Sequence, residues 1–440
     1  MRGYGNPMPI LPHLLVIAVL CATAGCAFAD AGADSIRLAG SPEAIGTAWG
    51  RLNARFIQDD MRANYTEPAA AKGLSEQELI ARGRRFAEIA AEVAPHWLDE
   101  AGAIAAAAGV DPELYTAYIG CVYRNLWAGD ECTSYAVSNR FTEDHAVFFH
   151  KNRDNIDKPQ AACVVASNVP GVNRFLTVTD VSVLACMMMV NDKGLAGSAD
   201  TGGIDPGTPK FRGLMNTFVL RHIAERAASC AEAEAVIRDF VAKGYYAGGG
   251  GTGTHWLFVD KDGAILEVAN NADEVVAKPF TGKVYFSARA DSNAAKTLVG
   301  SSDPIGFHAF HNVSRDPSMC FGTSISGMSV EISPEHPDLL TCAWVTFPAK
   351  GLAFPLFMGC AGTPLPLVDG EVYRLCKPID GAAAVWEAVE ESAWGNQGLV
   401  EARAADLLDA GQRARAAALL EEWTSKIARG QVAMLRFMQN

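Results

Sequence analysis

The sequence is poor in basic residues, and those it has are scattered along the chain. It carries 37 Lys and Arg against 50 Asp and Glu, which gives a formal net charge of -13. Because a protein neutralises nucleic-acid phosphates with clustered Lys and Arg, this balance disfavours a nucleic-acid partner. The sequence also lacks a CxxC pair and any histidine spacing typical of a metal site. We therefore expect no metal and no cofactor.

One glycine-rich run, "GGGGTGTHW" at residues 248–256, has no Lys-Ser/Thr ending and precedes a predicted strand instead of a helix. That pattern excludes a phosphate-binding loop for a nucleotide. Two interpretations stay open. The run is a loop over a substrate pocket with His255 at its base, or it is a flexible hairpin with His255 packed beside Trp256.

No apolar run near the N-terminus is long enough to span a bilayer comfortably. The stretch Leu14–Ala24 is short and is followed by Ala27-Phe28-Ala29. This pattern predicts a signal peptide over residues 1–29, cleaved before Asp30, and therefore an exported protein, periplasmic or secreted, with no stable membrane span afterwards. The alternative is a lipid anchor at Cys26, because small residues precede that cysteine.

Eleven cysteines are present, and Cys21 and Cys26 fall in the leader. If Cys132 is set apart, an even set remains at positions 121, 163, 186, 230, 320, 342, 360 and 376. In an oxidising compartment these could pair, although their wide spacing does not reveal the connectivity. The other interpretation is a set of isolated buried thiols.

The residue periodicity changes near Cys132. From Ser41 to about Trp127 apolar residues recur at helical steps, and Ser41-Pro42 has the composition of a helix start. From Cys132 onward short apolar or alternating runs dominate, beginning with a hairpin formed by "TSYAVSNRF" and "HAVFFHK". Helical patterns return at residues 213–243 and after residue 381. Strands and helices in separate blocks predict an α+β fold with a helical N-terminal segment.

Cys132 opens the first of these strands. If the chain were cut before it, the α-amine of Cys132 would lie beside its own thiol and, with an ordinary pKa near 8, could act as a general base. A thiol is also a good nucleophile for an acyl carbonyl. On the residues alone, a buried hydrophobic role for this cysteine is the commoner one.

The segments "ECTSYAV" and "FFHKNRDN" resemble the start of the catalytic chain in N-terminal-nucleophile (Ntn) cysteine hydrolases that act on linear amides. Upstream, "GSPEAIGTAWGRL" and "HWLDEAGAIAAAAGVDPELY" are similar to the helical propeptide of the penicillin acyltransferase family. Downstream, "NDKGLAG", "HWLFVDKDGAILEV" and "TCAWVTFPAKGLAFPLF" resemble elements shared with that family and with the related choloylglycine hydrolases, Cys-dependent dipeptidases and secernins. The likeness runs in order over most of residues 39–360.

This resemblance implies an Ntn-hydrolase αββα sandwich and self-cleavage between Glu131 and Cys132. Residues 30–131 would be the helical α-chain, residues 132–440 the catalytic β-chain, and the two chains would stay associated. Cys132 would be the nucleophile, and Asp154 would hold its amine. Lys151 stands where bile-salt hydrolases have Arg, with Arg153 as a second cation nearby; the alternative for this cluster is a solvated, salt-bridged hairpin.

Three further positions are candidates by the same resemblance. Arg289 or Asn293, in "YFSARADSN", would bind the developing oxyanion, although neither matches the family's Asn cleanly. The alternative is that backbone N–H groups bind the oxyanion and these side chains bind substrate. Asn191 in "NDKGL" matches a recurrent family Asn and is equally well explained as a turn residue.

The resemblance implies hydrolysis of, or acyl transfer from, a small-molecule acyl amide through an acyl-enzyme on Cys132. One alternative is a dipeptidase of the same superfamily. Another is an exported binding protein that keeps the fold without activity. The sequence pattern does not identify the substrate, because pocket walls come from loops that the pattern does not define.

Overall fold

A computed structural model describes residues 34–121, 132–202, 204, 213–248, 253–379 and 381–439. The N-terminal segment is helical, as predicted, apart from the short strands β1 (Ser35–Ile36) and β2 (Leu38–Gly40). Its helices are α1 (Pro42–Met61), α2 (Glu67–Ala70), α3 (Glu76–Val93), α4 (His96–Ala108) and α5 (Pro112–Cys121). The Ser41 hydroxyl accepts a hydrogen bond from Ala44 N at 3.3 Å, which confirms the predicted helix start.

Two sheets form the centre of the described structure. The smaller sheet has the order β14-β3-β4-β15-β16-β17 and is antiparallel throughout. Its strands are β3 (Thr133–Val137), β4 (Val147–Asp154), β14 (Val284–Phe286), β15 (Ser324–Ile332), β16 (Cys342–Thr346) and β17 (Ala353–Phe357). The predicted hairpin is present, because Thr133–Val137 pairs with Phe148–Asn152.

The larger sheet has the order β13-β12-β11-β8-β7-β6-β5-β2. Its further strands are β5 (Gln160–Ser167), β6 (Phe175–Asp180), β7 (Met188–Asn191), β8 (Leu195–Thr201), β11 (Thr254–Asp260), β12 (Ile265–Asn270) and β13 (Val275–Phe280). Only β2 joins in parallel, on β5. Short pairs complete the described strands: β9 (Leu214–Met215) with β10 (Tyr246–Gly248), and β18 (Thr363–Pro364) with β1.

Helices cover both outer faces. The N-terminal helices, with α6 (Asn216–Arg226) and α7 (Cys230–Ala242), share one apolar core with the larger sheet. The smaller sheet and the space between the sheets share a second core with the C-terminal helices. Those helices are α8 (Asn293–Gly300), α9 (Phe307–Val313), α10 (Leu365–Val368), α11 (Glu371–Cys376), α12 (Ala383–Asp409) and α13 (Arg413–Met438). The layers follow the predicted α+β, αββα order.

A buried ionic network ties the helical segment to the sandwich. Arg221 on α6 donates to both carboxylate oxygens of Glu100 on α4, at 2.6 and 2.9 Å, and to Glu225 at 2.9 Å. His96 Nε2 and Trp97 Nε1, also on α4, lie within 2.9 Å of Glu225 Oε2. Each buried charge has an opposite charge in contact, as burial requires. This network joins parts of the chain that lie on either side of Cys132.

None of the described cysteines forms a disulfide, and all except Cys132 are buried. Of the two interpretations for the even set of cysteines, the structure has the isolated buried thiols. Among the described helices, none is both long and apolar enough to cross a membrane.

Candidate active site

Cys132 lies immediately before β3, and as a whole residue it is only half-buried, unlike every other described cysteine. Continuing the β3–β4 register by one residue places Cys132 opposite Arg153. Because side chains alternate along a strand, Cys132 and Ser134 point to the same side of β3, toward the larger sheet. Ser134 confirms this direction, since its hydroxyl lies 2.8 Å from Ser198 Oγ on β8.

Lys151 and Asp200 form a buried ion pair beside this position. Lys151 lies opposite Ser134 on β4, and its Nζ lies 2.9 Å from Asp200 Oδ1 on β8. The same Nζ donates to the carbonyl of Ala199 at 2.5 Å. Asp200 also accepts from the Ser134 hydroxyl at 3.0 Å and from the Ser287 hydroxyl at 3.3 Å. Charge and hydrogen-bonding capacity are therefore matched at this pair.

Asp154 lies at the end of β4, one residue beyond the position opposite Cys132. It is 4% exposed, and the Ser324 hydroxyl on β15 donates to its Oδ1. Because it alternates with Lys151 and Arg153, its side chain leaves β4 on the other side. The backbone of Asp154 hydrogen-bonds the Cys132 sulfur. The structure thus places Cys132, Lys151 and Asp154 at neighbouring positions of the β3–β4 pair, while their catalytic roles stay predictions.

Burial raises the pKa of the Cys132 thiol to about 11. The positive charge of Lys151 lowers this pKa, and the negative charge of Asp200 raises it; the Asp154 backbone hydrogen bond has a smaller lowering effect. A thiol in this environment is protonated at neutral pH in the continuous chain. It therefore needs a base to act as a nucleophile.

Asn191 ends β7 and lies in the turn before β8. Its amide nitrogen donates to the carbonyls of Ala224 and Ala227 at 3.0 and 2.7 Å, and its Oδ1 accepts from the backbone N–H groups of Lys193 and Leu195 at 3.1 Å each. These contacts join the turn to the end of α6. They correspond to the turn role that the sequence left open.

Arg289 and Asn293 follow β14 and are both exposed. The Arg289 guanidinium lies over the ring of Phe321 at 5.0 Å, and the Phe321 N–H donates to Ser324 Oγ, the hydroxyl that holds Asp154. Arg289 has φ of 63°, a conformation that non-glycine residues rarely adopt. Asn293 is the first residue of α8. Arg289 is therefore connected to the Asp154 side of the site, while Glu131 lies outside the described residues.

Arg153 reaches the larger sheet beside Lys151, but it has different partners. Its NH1 lies 2.5 Å from Asp180 Oδ1 and 2.9 Å from Gln160 Oε1, and Lys158 Nζ lies 2.5 Å from Asp180 Oδ2. Burial alone would raise the pKa of Asp180, but the positive charges of Arg153 and Lys158 outweigh burial and lower it. This second buried cluster extends the polar region next to Cys132.

Sequence reasoning missed Asp200, Ser134 and Ser287 as members of the site. Asp200 lies in "LAGSADT", where small and polar residues hide the strand, and its role depends on a contact between two sheets. Across the described ranges, no group of three or more His, Cys, Asp or Glu side chains could hold a metal ion.

Comparisons with known proteins were made on sequence and on structure. No family model matches the chain, and no curated protein matches it. Among solved structures, penicillin V acylase from Agrobacterium tumefaciens is 14% identical at a TM-score of 0.38, over 52% of this chain and 86% of that one. A variant of conjugated bile acid hydrolase from Clostridium perfringens is 12% identical at 0.35, over 52% and 92%. The Caenorhabditis elegans ortholog of N-acylethanolamine-hydrolyzing acid amidase is 9% identical at 0.35, over 47% and 94%. At these scores the likeness carries no conclusion about activity, which has to come from the site geometry.

Proposed function

We propose that this protein is a self-processing N-terminal cysteine hydrolase or acyltransferase that acts on linear amide bonds of small acyl amides. The observation that carries the proposal is the Cys132 thiol at the start of a strand, between the Lys151–Asp200 pair and Asp154. The αββα layering and the helical segment that ends at Cys121 are consistent with it.

The described structure is that of the continuous chain, in which the nitrogen of Cys132 is part of a peptide bond. Cleavage between Glu131 and Cys132 frees this nitrogen as an α-amine. The amine lies on the same residue as the thiol, and the Asp154 carboxylate at the adjacent strand end binds its ammonium form. An amine near its ordinary pKa of about 8 suits a general base at neutral pH.

In the reaction, the sulfur of Cys132 forms a bond to the acyl carbon while the α-amine accepts the thiol proton. The tetrahedral intermediate then breaks its C–N bond, and the ammonium returns the proton to the leaving amine. Water, or a second amine in acyl transfer, attacks the thioester and gives a proton to the α-amine. The C–S bond breaks, and the thiol regains this proton.

Lys151 stabilises the thiolate, and Asp200 limits that effect because it neutralises Lys151 at 2.9 Å. Ser134 and Ser287 donate hydrogen bonds to Asp200 and so orient the carboxylate that holds Lys151 Nζ. For the oxyanion, Arg289 is the candidate side chain in contact with the Asp154 side of the site, and backbone N–H groups are the alternative.

The test combines a substrate panel with intact mass spectrometry. N-acyl amino acids, penicillins and dipeptides are mixed with the purified protein, and the chain that carries Cys132 is weighed after rapid acid quenching. We expect at least one substrate to be hydrolysed and to leave an acyl adduct, which C132A lacks. Turnover of dipeptides alone would favour the dipeptidase alternative, since only that activity needs a free substrate amine. A processed protein without turnover or adduct would contradict the proposal.

A further inference from the structure

His255 on β11 lies directly across from Asp200 on the neighbouring strand β8. The Cα atoms of His255 and Asp200 are register partners, so they lie about 5 Å apart. Both side chains point toward the smaller sheet, because paired residues share a face. His255 is thus one residue away from the Lys151–Asp200 pair, along the same layer between the sheets.

His255 forms a polar trio with Glu267 on β12 and Tyr285 on β14. Its Nε2 lies 3.0 Å from Glu267 Oε1 and 3.1 Å from the Tyr285 hydroxyl. The His255 and Tyr285 rings are nearly parallel, with an interplanar angle of 5° and a centroid separation of 6.4 Å. The trio therefore links the larger sheet to β14, the edge strand of the smaller sheet. His255 Nδ1 is buried and has no hydrogen-bond partner within the part of the chain that the structure describes.

The trio is more accessible and more negative than the pair beside it. The side chains of Glu267 and His255 are 28% and 15% exposed, against 6% for Asp200 and 2% for Lys151. Lys151 neutralises Asp200, whereas no Lys or Arg of the described residues lies within ion-pair distance of Glu267. The nearest cation on the same face is Lys278, the exposed register partner of Glu267 on β13. Burial is the main cause of the raised pKa of Tyr285, and the negative charges of Glu267 and Asp200 raise it further.

We propose that Glu267, with His255 and Tyr285, forms a substrate-binding subsite for a cationic group, a primary amine or a guanidinium, next to the Lys151–Asp200 pair of the candidate active site. This inference rests on the proposed function and names a substrate class for that site. A cation there would donate a charge-assisted hydrogen bond to a partly desolvated carboxylate. A carboxylate in the same place would be repelled and would leave its own oxygens unpaired.

The experiment uses two matched substrate series with the processed protein. In the first, phenylacetamides of agmatine, butylamine and 4-aminobutyrate vary the charge on the amine half. In the second, the butylamides of 6-aminohexanoate and hexanoate and the mono-butylamide of adipate, which keeps one free carboxylate, vary the charge on the acyl half. We expect the cationic member of one series to have the lowest KM. In E267Q this KM rises about tenfold, while its kcat and the KM of the neutral member change less than twofold.

Two variants separate binding from a general structural effect. E274Q removes a carboxylate from the exposed turn of the same hairpin and should leave all KM values unchanged. E267D keeps the charge and should retain the preference for the cation. Equal KM values across both series, or a preference that E267Q does not reduce, would overturn the subsite while leaving the proposed hydrolase intact.

If no member of either series is turned over, isothermal titration calorimetry with the phenylacetamide of agmatine tests the subsite by binding alone. About tenfold weaker binding to E267Q than to the wild type and E274Q supports the subsite. Equal binding, or none to any of the three proteins, contradicts it. Loss of the hydrolase proposal is recognised separately by the absence of an acyl adduct on Cys132.

Discussion

Two buried ionic clusters in this protein use similar residues for different purposes. At the junction with the helical segment, Arg221 holds Glu100 and Glu225, and His96 also contacts Glu225. At the candidate active site, Lys151 holds Asp200, and Cys132 lies beside the pair. The first cluster contains no nucleophile and is 6% exposed or less at every side chain. The second includes Cys132, a half-buried residue that carries a nucleophilic thiol.

The two clusters differ in whether the neighbouring charges outweigh the effect of burial on the pKa. Around Arg221, burial alone would raise the pKa of Glu225, but Arg221 and His96 outweigh burial and lower it to about 2. At Cys132, burial prevails over the charge of Lys151, and the pKa rises to about 11. Complete pairing thus keeps Glu225 ionised at the junction, whereas incomplete compensation keeps the Cys132 thiol protonated at neutral pH until a base removes its proton.

The largest expected effect comes from breaking the junction. R221M leaves two buried carboxylates without their cation, so it should reduce the free energy of unfolding by about 3–5 kcal/mol. Chemical denaturation followed by tryptophan fluorescence measures this loss. R226M, on the exposed side of the same helix, should stay within about 0.5 kcal/mol of the wild type. A similar small loss for R221M would mean that the junction is not a stabilising contact.

The second prediction concerns the pH dependence of the same cluster. Because its folded pKa is lowered, the Glu225 carboxylate contributes stability above its ordinary pKa of about 4.5, and this contribution is lost as the pH falls through about 2. The stability gap between wild type and E225Q should therefore shrink by about 3 kcal/mol between pH 5 and pH 2. Urea unfolding at several pH values measures it, with exposed E335Q as control. A constant gap would contradict the lowered pKa.

A smaller effect is expected at the active site. D200N removes a negative charge that raises the pKa of Cys132, so this pKa should fall; K151M removes a cation, so it should rise. We expect shifts on the order of one unit. The rate of iodoacetamide alkylation against pH reports the pKa, after subtraction of the rate for C132A. Shifts of the same sign in both variants would show that the pair does not control the thiol electrostatically. R221M, which is remote from this pair, should leave the pKa of Cys132 at its wild-type value.

The sequence predicted those parts of the fold that depend on local pattern. The helices up to Cys121 and the β3–β4 hairpin follow from periodicity and turn residues. It did not reveal β8, because "LAGSADT" has no β-branched or aromatic run, nor β13 and β17, whose short stretches have no clear alternation. The apolar run "LACMMMVN", residues 184–191, forms a strand only over Met188–Asn191. Strands of this kind form because neighbouring strands and the second sheet cover them.

The residues of the candidate site also divide into those that the sequence could predict and those that it could not. Lys151 and Asp154 could be named because they share one strand and one motif with the hairpin that follows Cys132. Asp200 could not, because its contacts join β8 to β4 and β3 across the two sheets. Assignments of Arg289, Asn293 and Asn191 to catalysis remain predictions, although the contacts of Asn191 are those of a turn residue.

The central claim is that Cys132 becomes an N-terminal nucleophile, and the most direct measurement is the N-terminus of the mature protein. Purified wild type should give a chain beginning Cys132-Thr133-Ser134 on N-terminal sequencing, and its intact mass should match residues 132–440. C132A, prepared in parallel, should remain joined across this bond. A wild-type protein that stays continuous from the helical segment through Cys132 would contradict the account.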